Sequence, residues 1–243
     1  MSTSTLSFGL LRRLRRLSDP ALTVLVILEA FALFVNLPLT EVGVWPVYVD
    51  LPLEILIVAA AVIVVSWHRL AMTVLLVSFT ASAASAAFRN DLPSNLTVYI
   101  DFAAKITFVC VLTWVVGFAV FSRGRITSHR VRGAVAIYLQ LSLFFTLLYL
   151  FILMHYPDAF RPLIALTGPT GDILHGAHGG SQMVYFSLAT LTTTGYGDIV
   201  PVHPFARSVA NLESLLGQLF PAIFLARLVT LEIADRRAGR ASE

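Results

Sequence analysis

Charge and cysteine are both scarce in this sequence. Only 13% of its 243 residues are charged and 57% are hydrophobic, whereas an ordinary soluble domain is about 25% charged and about 45–50% apolar. One soluble core of this size cannot bury so much apolar surface, so the composition indicates a membrane protein. The single cysteine, Cys110, excludes an intrachain disulfide and a metal cluster built on cysteines. We expect it to be a small buried hydrophobic residue.

The sequence also lacks the marks of nucleic-acid-binding proteins and of enzymes. Its formal charge is +3, and the basic residues form short runs beside apolar segments, as the positive-inside rule predicts. We therefore expect no nucleic-acid partner. No nucleophile, general base or set of metal ligands is grouped in a way that indicates a catalytic pocket, so we predict no enzymatic activity and no cofactor.

Long apolar segments dominate instead. Six of them approach or exceed the ~18 residues typical of a transmembrane helix, at about 20–39, 47–66, 69–88, 97–121, 134–156 and 205–231. A seventh, at about 181–192, would cover only ~18 Å as a helix, against the ~30 Å of a hydrocarbon core. That length suits a re-entrant helix, which is tolerated where protein or a water-filled cavity surrounds it. The sequence therefore predicts an all-α membrane protein with six transmembrane helices and one re-entrant helix.

The distribution of arginine predicts the orientation. In a six-span arrangement, one side of the membrane receives Arg12, Arg13, Arg15, Arg16, Arg69, Arg123, Arg125, Arg130, Arg132, Arg236, Arg237 and Arg240. Both termini are therefore predicted to be cytoplasmic in a multi-pass protein of the cell membrane, with 157–204 outside. The first apolar segment, from about Ala21 to Leu39, is longer than the ~7–15 residues of a signal peptide's apolar region, so we expect it to be retained. We expect no regulatory domain at either end, because the segments beyond the first and last spans are short.

The segment Thr190-Leu-Thr-Thr-Thr-Gly-Tyr-Gly-Asp198 follows the short helix directly. A monovalent cation crossing lipid must exchange its water for oxygen ligands of similar energy, and successive backbone carbonyls supply them when they face a common axis. Gly195 and Gly197 accept a positive φ without a Cβ clash. Alternating them with Thr194 and Tyr196 lets adjacent carbonyls face the same way, while the threonine and tyrosine side chains point into the surrounding wall.

Both ends of this segment carry further oxygen atoms. The Thr193 hydroxyl can add one ligand at the inner end, and Asp198 places a carboxylate at the outer mouth. The C-terminal end of the short helix, from about Ser181 to Leu191, would carry a partial negative charge of roughly half an electron, which favours a cation near the middle of the bilayer. Because one strand covers only one side of an ion, fourfold symmetry is the natural closure, and we predict a homotetramer.

The residues Thr193-Thr-Gly-Tyr-Gly-Asp198 resemble the signature sequence of potassium channels. The resemblance extends from Tyr185 through Val229, and the apolar segment at about 134–156 is similar to the family's outer pore helix. It implies a tetrameric pore in the lipid bilayer, with K⁺ as the permeant ion and no other cofactor. It also implies a selectivity filter whose carbonyls, together with the Thr193 hydroxyl, bind K⁺; the filter residues are Thr193, Thr194, Gly195, Tyr196 and Gly197.

Three positions around this filter depart from the family pattern. Many members have two tryptophans in the pore helix that brace the filter, where this sequence has Tyr185 and Phe186. Some bacterial members carry a glutamate behind the filter, where this sequence has Ala189. Tyr185 keeps a hydroxyl, whereas Phe186 has no donor to reach Asp198. The resemblance therefore leaves the stability and inactivation of the filter open.

The last apolar segment contains both a glycine and a proline. Gly217 lies where the family has its hinge glycine, and Pro221 removes a backbone donor one turn later. A glycine inside a helix costs about 1 kcal/mol relative to alanine, so its presence calls for a reason. We predict a bendable inner helix that acts as a gate. The alternative is that glycine and proline are simply commoner in membrane helices.

The first four segments lie where a voltage-sensing domain would, but the fourth lacks arginine at every third position. It holds only Asp101 and Lys105, and one charge crossing a 100 mV field contributes only about 2.3 kcal/mol. We therefore predict weak or no voltage gating. These two residues are expected to pair with each other, one helical turn apart, or to face Glu29 or Glu54 from other spans.

The remaining polar residues have less specific interpretations. Glu213 is expected to brace the region behind the filter, near Asp198. A set of histidines is expected to lie in a solvated outer loop, with a proton or zinc sensor as the alternative; its members are His155, His175, His178 and His203.

These expectations divide the chain into a basic cytoplasmic N-terminus (1–19), a four-helix domain resembling a voltage sensor without its charges (20–122), a cytoplasmic linker (123–133), a pore domain (134–231) and a cytoplasmic tail (232–243). The favoured function is a K⁺-selective channel subunit. Two alternatives stay open. One is a weakly selective cation channel, because both tryptophan braces are missing. The other is a non-conducting or transport-type membrane protein that carries the same loop.

Overall fold

The computed structural model describes residues 20–44, 50–88, 94–121, 128–162 and 177–240. Predictions about the N-terminal arginine cluster, Arg123, Arg125 and His175 fall outside these residues. The described part consists mainly of seven helices and one short strand pair: α1 (Pro20–Glu41), α2 (Asp50–Val65), α3 (Arg69–Ala87), α4 (Ser94–Phe121), α5 (Ser128–His155), β1 (Phe160–Arg161), α6 (Ala177–Leu191), β2 (Val200–Pro201) and α7 (Pro204–Arg240).

Five of these helices are long and apolar enough to cross a membrane, namely α1, α3, α4, α5 and α7. The chain is thus an all-α, multi-pass membrane protein, as its composition indicates. Helix α2 has 16 residues, which at 1.5 Å per residue is about 24 Å and shorter than a ~30 Å hydrocarbon core. A sixth span at this position therefore stays a prediction.

The helix boundaries differ most from the predicted ones at three places. Helix α5 begins at Ser128, inside the predicted linker, and α6 begins at Ala177, four residues before the predicted start. Helix α7 continues to Arg240, through most of the predicted tail. Hydropathy marks where a chain leaves the bilayer and not where its helix ends, and the alanine and arginine residues beyond 231 favour continued helix.

Helix α1 contains a π-helical stretch, Ala32–Asn36, which ends two residues before Pro38. A proline has no backbone N–H, and its ring clashes with the carbonyl four residues earlier. The wider turn accommodates this, since the Leu37 N–H bonds to the Ala32 carbonyl, five residues back. The helix therefore continues past the proline to Glu41.

Two large hydrophobic clusters and a small third one, Leu33 with Leu139 and Val184, hold the described helices together. The largest cluster contains residues from each of α1, α2, α3, α4 and α5, and its most buried side chains include Leu25, Val65 and Leu75. The second joins α5, α6 and α7 around Tyr149, Phe160, Met183 and Phe186. The antiparallel pair β1–β2, with Phe160 opposite Pro201, ties the end of α5 to the start of α7. The second cluster thereby fixes the position of α6, which carries the segment of interest.

Contacts and exposure of individual side chains in α1 to α5 test three predictions, on the Asp101–Lys105 pair, on Glu29 and on Cys110. Lys105 Nζ lies 2.9 Å from Asp101 Oδ2, so the predicted pairing is confirmed, and Ser82 on α3 donates to the other carboxylate oxygen at 2.5 Å. Glu29 does not join this pair. It lies on α1 and accepts a hydrogen bond from Gln140 of α5 at 3.0 Å. The prediction that Cys110 is buried is wrong, because its position on α4 faces outward.

Candidate functional site

Helix α6 ends in a Schellman motif centred on Thr193. The Thr193 N–H donates to the Thr190 carbonyl and the Thr194 N–H donates to the Ala189 carbonyl, each at 2.9 Å, which is the hydrogen-bond pattern of that motif. The motif requires a left-handed residue, and Thr193 has φ 57°. Glycine usually occupies this position, and a β-branched residue there is rare. Sequence reasoning missed this, because the signal for a left-handed helix end is normally a glycine.

The segment that follows keeps its backbone in the conformation that its glycines suggested. Gly195 has φ +56° and Gly197 has φ +79°, so the predicted positive values are confirmed. Every residue in 192–198 is exposed in the single chain. The carbonyl oxygens of Thr193 to Gly197 accept no hydrogen bond from the residues that the structure describes. The segment thus presents successive unpaired carbonyl groups, which are hard oxygen ligands available to a cation.

The side chains of the segment have partners within the chain. The Thr194 hydroxyl lies 2.9 Å from that of Thr192. The Tyr196 ring stacks on Tyr185 of α6, with 5.8 Å between centroids and 9° between planes. The Thr193 hydroxyl accepts a hydrogen bond from Gln218 Nε2 of α7 at 3.1 Å. This last contact was not expected, although a glutamine within an apolar helix is a signal that it has a polar partner.

Tyr185 also holds the outer end of the segment. Its hydroxyl donates to Asp198 Oδ2 at 2.7 Å, and the Ile199 N–H donates to Oδ1 at 3.0 Å. The Tyr185 hydrogen bond holds the pKa of the Asp198 carboxyl below its ordinary value, because it stabilises the charged form. The hydroxyl that the sequence retains at this position therefore reaches Asp198, and one side chain contacts two residues of the loop.

Phe186 and Ala189 support the segment by packing. The Phe186 ring is buried against Tyr149 and Phe160, with centroids 5.0 and 5.2 Å away. Its contribution is to anchor α6 from behind, since it has no polar group to reach the loop. The carbonyl of Ala189 accepts hydrogen bonds from both Thr194 and Gly195. Ala189 thus holds the first turn after the helix through its backbone.

Gly217 lies where α7 touches the end of α6. A Cβ at this position would be 1.9 Å from the carbonyl oxygen of Leu191, which also accepts a hydrogen bond from Tyr138 at 3.0 Å. Only a glycine permits this approach. Pro221 is inside the continuous helix α7. The close contact gives the glycine a packing reason, and its role as a hinge stays a prediction.

Glu213, His155 and His203 have described partners outside the loop, whereas the side chains of His175 and His178 lie outside the described residues. Glu213 bonds to Tyr149 and Ser187, whereas the described partners of Asp198 are Tyr185 and Ile199. The expectation that Glu213 lies near Asp198 is therefore not supported by a contact. His203 stacks on Tyr156 at 4.1 Å and accepts the Phe205 N–H, while His155 lies 3.3 Å from the Tyr99 hydroxyl. The described residues contain no group of three that could hold a metal ion.

Comparisons with known proteins cover the part of the chain that contains this loop. Residues 162–233 match a family model described as "Ion channel". Over 55 residues the chain is 38% identical to the inward rectifier potassium channel Kirbac3.1 of Paramagnetospirillum magnetotacticum, a match that covers 22% of this chain. The chain spans 19% of the length of that curated relative. No solved structure matches the chain.

Proposed function

We propose that this chain, whose residues 162–233 match a family model described as "Ion channel", is a subunit of a K⁺-selective channel. In this proposal four identical chains surround one pore, and K⁺ crosses the membrane passively through a filter built from Thr193 to Gly197. Asp198 forms the outer mouth. The protein is a channel and not an enzyme, and K⁺ is its permeant ion and not a cofactor.

The row of unpaired carbonyl groups from Thr193 onward carries the proposal. A K⁺ ion that leaves water needs several oxygen ligands to replace its hydration shell. Carbonyl groups that lack hydrogen-bond donors meet that need, and this segment presents them on an exposed strand. At membrane depth such groups are tolerated only where they are buried in protein or line a water-filled cavity, and in this proposal they line the pore and bind K⁺.

Helix α6 supports the proposal through its length and its end. Its 15 residues cover about 22 Å, too little to cross a ~30 Å hydrocarbon core, so it enters and returns on the same side. Its C-terminus leads directly into the filter. The partial negative charge of that helix end, roughly half an electron, stabilises a cation beside it.

The exposure of α7 supports the tetramer. Only 11% of an apolar 18-residue stretch of α7 is buried within the single chain, against 56% for the corresponding stretch of α5. The filter segment beside it is exposed as well, and the Tyr196 ring is 69% accessible. One strand covers one side of an ion, so four copies around an axis close the coordination shell. They also cover the faces that α7 and the filter leave open.

The bracing by Tyr185 favours selectivity for K⁺ over a weakly selective pore. It fixes the ring of Tyr196 and the carboxylate of Asp198 from the same helix, so the tyrosine takes over a supporting role in the absence of tryptophan. The weakly selective alternative is favoured by the absence of both tryptophan braces, since Phe186 has no donor to replace the second one.

The paired charges on α4 support weak or absent voltage gating. Asp101 and Lys105 form one ion pair, which moves no net charge when the helix moves in the membrane field. Steep gating needs several charges per subunit, because each contributes about 2.3 kcal/mol per 100 mV. We further propose six spans, the division into a four-helix domain and a pore domain given above, both termini in the cytoplasm, and location in the cell membrane.

The decisive experiment is K⁺ flux through the purified full-length protein in liposomes. Gly195→Ala is the test variant, because its φ of +56° is unfavourable for a residue with a Cβ. Gly117→Ala is the matched control, since a Cβ there meets no atom within 4 Å and its φ is not positive. We expect flux from the parent and from the control and none from Gly195→Ala.

Each alternative has its own outcome. Equal reversal potentials in K⁺ and Na⁺ gradients would indicate the weakly selective channel. A protein without flux, or one that is monomeric in native mass measurements, would favour the non-conducting or transport-type alternative. Undiminished flux through Gly195→Ala would show that the filter assignment is wrong.

A further inference from the structure

A fully buried polar cluster joins α5, α6 and α7. Glu213 of α7 meets Tyr149 of α5 and Ser187 of α6, and Ser187 in turn meets Ser142 of α5. Each of these four residues is 0% exposed. The Tyr149 hydroxyl lies 2.5 Å from Glu213 Oε2, and the Ser187 Oγ lies 2.5 Å from Oε1. The same Ser187 Oγ is 2.9 Å from the Ser142 carbonyl oxygen and 3.0 Å from the Ser142 hydroxyl.

The number of protons in this cluster can be counted. A serine hydroxyl has one proton, a carbonyl oxygen can only accept, and an ionised carboxylate can only accept. Ser187 Oγ lies within hydrogen-bond distance of both the Ser142 carbonyl and Glu213 Oε1, so its single proton serves only one of them. With Glu213 ionised, one of these two short contacts would bring oxygen atoms together without a hydrogen between them.

One additional proton on Glu213 satisfies every contact. The acid then donates from Oε1 to Ser187 Oγ, and Ser187 donates to the Ser142 carbonyl. Tyr149 donates to Oε2, and the Ser142 hydroxyl donates to the second lone pair of Ser187. Each hydrogen then has one acceptor, and every short oxygen–oxygen contact in the cluster contains a hydrogen atom.

The charges around Glu213 agree with a neutral acid. Among described residues, the titratable groups of α5 that interact with Glu213 are Tyr149 and Tyr138, and neither carries a positive charge. The contact from α6 is Ser187, which is also uncharged. On the outer side, Arg207 of α7 donates to the Pro201 carbonyl, and Asp198 is an acid held by Tyr185. A buried carboxylate without a cation is costly, and a proton removes that cost.

We propose that Glu213 is a proton-binding site of the resting channel and that its acid group positions α6, and with it the filter, against α7. Ser187 lies on α6 just before Ala189, whose carbonyl holds the first residues of the filter. Gly217, one turn after Glu213, contacts the end of the same helix. When Glu213 loses its proton, Ser187 Oγ must face either the Glu213 carboxylate or the Ser142 carbonyl without a hydrogen between the two oxygen atoms. We expect α6 then to separate from α7 and conduction to fall. The effect on conduction depends on the proposed function.

The test combines infrared spectroscopy with flux, both on the full-length protein in liposomes. In Glu213→Gln the side chain keeps its shape, is neutral at every pH, and donates to Ser187 through its amide. We expect the parent to lose flux as the pH is raised above neutral and Glu213→Gln to keep it. Glu54→Gln, at an exposed glutamate of α2, should follow the parent. A variant profile that matches the parent would overturn the regulatory part of the proposal.

The infrared measurement does not depend on conduction. At neutral pH the difference between the spectra of the parent and of Glu213→Gln should contain the carbonyl stretch of a buried protonated carboxylic acid. The buried Glu29 contributes equally to both spectra and cancels, and the difference between the parent and Glu54→Gln should lack the band. Ser187→Ala should shift this band, since the acid loses its acceptor. A spectrum without the band, or a band that Ser187→Ala leaves unchanged, would refute the proton site. A protein that shows the band but conducts no K⁺ would refute the proposed function and leave the site intact.

Discussion

Replacing Gly217 by alanine separates two reasons for the glycine in α7. The added Cβ would lie 1.9 Å from the carbonyl oxygen of Leu191 and 2.7 Å from its carbonyl carbon. Ordinary contacts between carbon and oxygen begin near 3.3 Å, so α7 and the end of α6 must move apart by roughly 1.4 Å. The obstructing atoms are backbone, which cannot rotate away as a flexible side chain does.

The expected loss of stability follows from two opposing effects. Overpacking of this kind costs about 1–3 kcal/mol, and backbone atoms at 1.9 Å place Gly217→Ala toward the upper end. Alanine in place of glycine in a helix returns about 1 kcal/mol. We therefore expect a net loss of about 2 kcal/mol, together with reduced flux because the filter follows directly from Leu191.

Thermal unfolding of the purified protein in detergent measures this effect, with flux recorded in parallel. Gly117→Ala is the control, because its Cβ enters open space and the same helix-propensity gain is expected without a clash. If the glycine served only as a hinge, Gly217→Ala would be as stable as the control or more so, and would lose flux alone. Equal or higher thermal stability in Gly217→Ala would therefore refute the packing argument.

Three further predictions follow from the supports of the filter and from the charges on α4. Tyr185→Phe keeps the ring but loses the hydrogen bond to Asp198, so we expect a lower ratio of K⁺ to Na⁺ permeability, and an unchanged reversal potential would contradict this. Phe186→Ala removes a buried ring and should destabilise the fold by about 3–5 kcal/mol; a melting temperature within experimental error of the parent would show that the ring is not an anchor. The Asp101–Lys105 pair should leave the conductance nearly flat with voltage, and a steep, saturating curve in a planar bilayer would rule that out.

The membrane location and the conformation of the glycines in the loop could be predicted because both depend on local properties. Hydropathy is summed over neighbouring residues, and the five long helices follow the apolar segments closely. The missing Cβ permits the positive φ that Gly195 and Gly197 adopt, and their alternation with Thr194 and Tyr196 is visible in the sequence. The left-handed Thr193 is different, because the termination of α6 imposes that conformation on a residue that disfavours it.

The length of the helices was predictable only where polarity and helix propensity change together. In α7 they do not, since residues after 231 are polar but still favour helix, and the helix continues to Arg240. In α1 the turn before Pro38 widens to a π-helix, and the helix continues past the proline.

The amino-acid sequence by itself determined that the chain spans a bilayer, and it supplied the loop of alternating glycines, since both are properties of residues adjacent in the chain. The tertiary structure alone decided that Tyr185 reaches Asp198, that Gly217 meets the backbone of Leu191, and that Glu213 meets Ser187. These contacts join residues on different helices or on opposite sides of a turn. Their geometry depends on how the helices pack, which no local pattern of residues specifies.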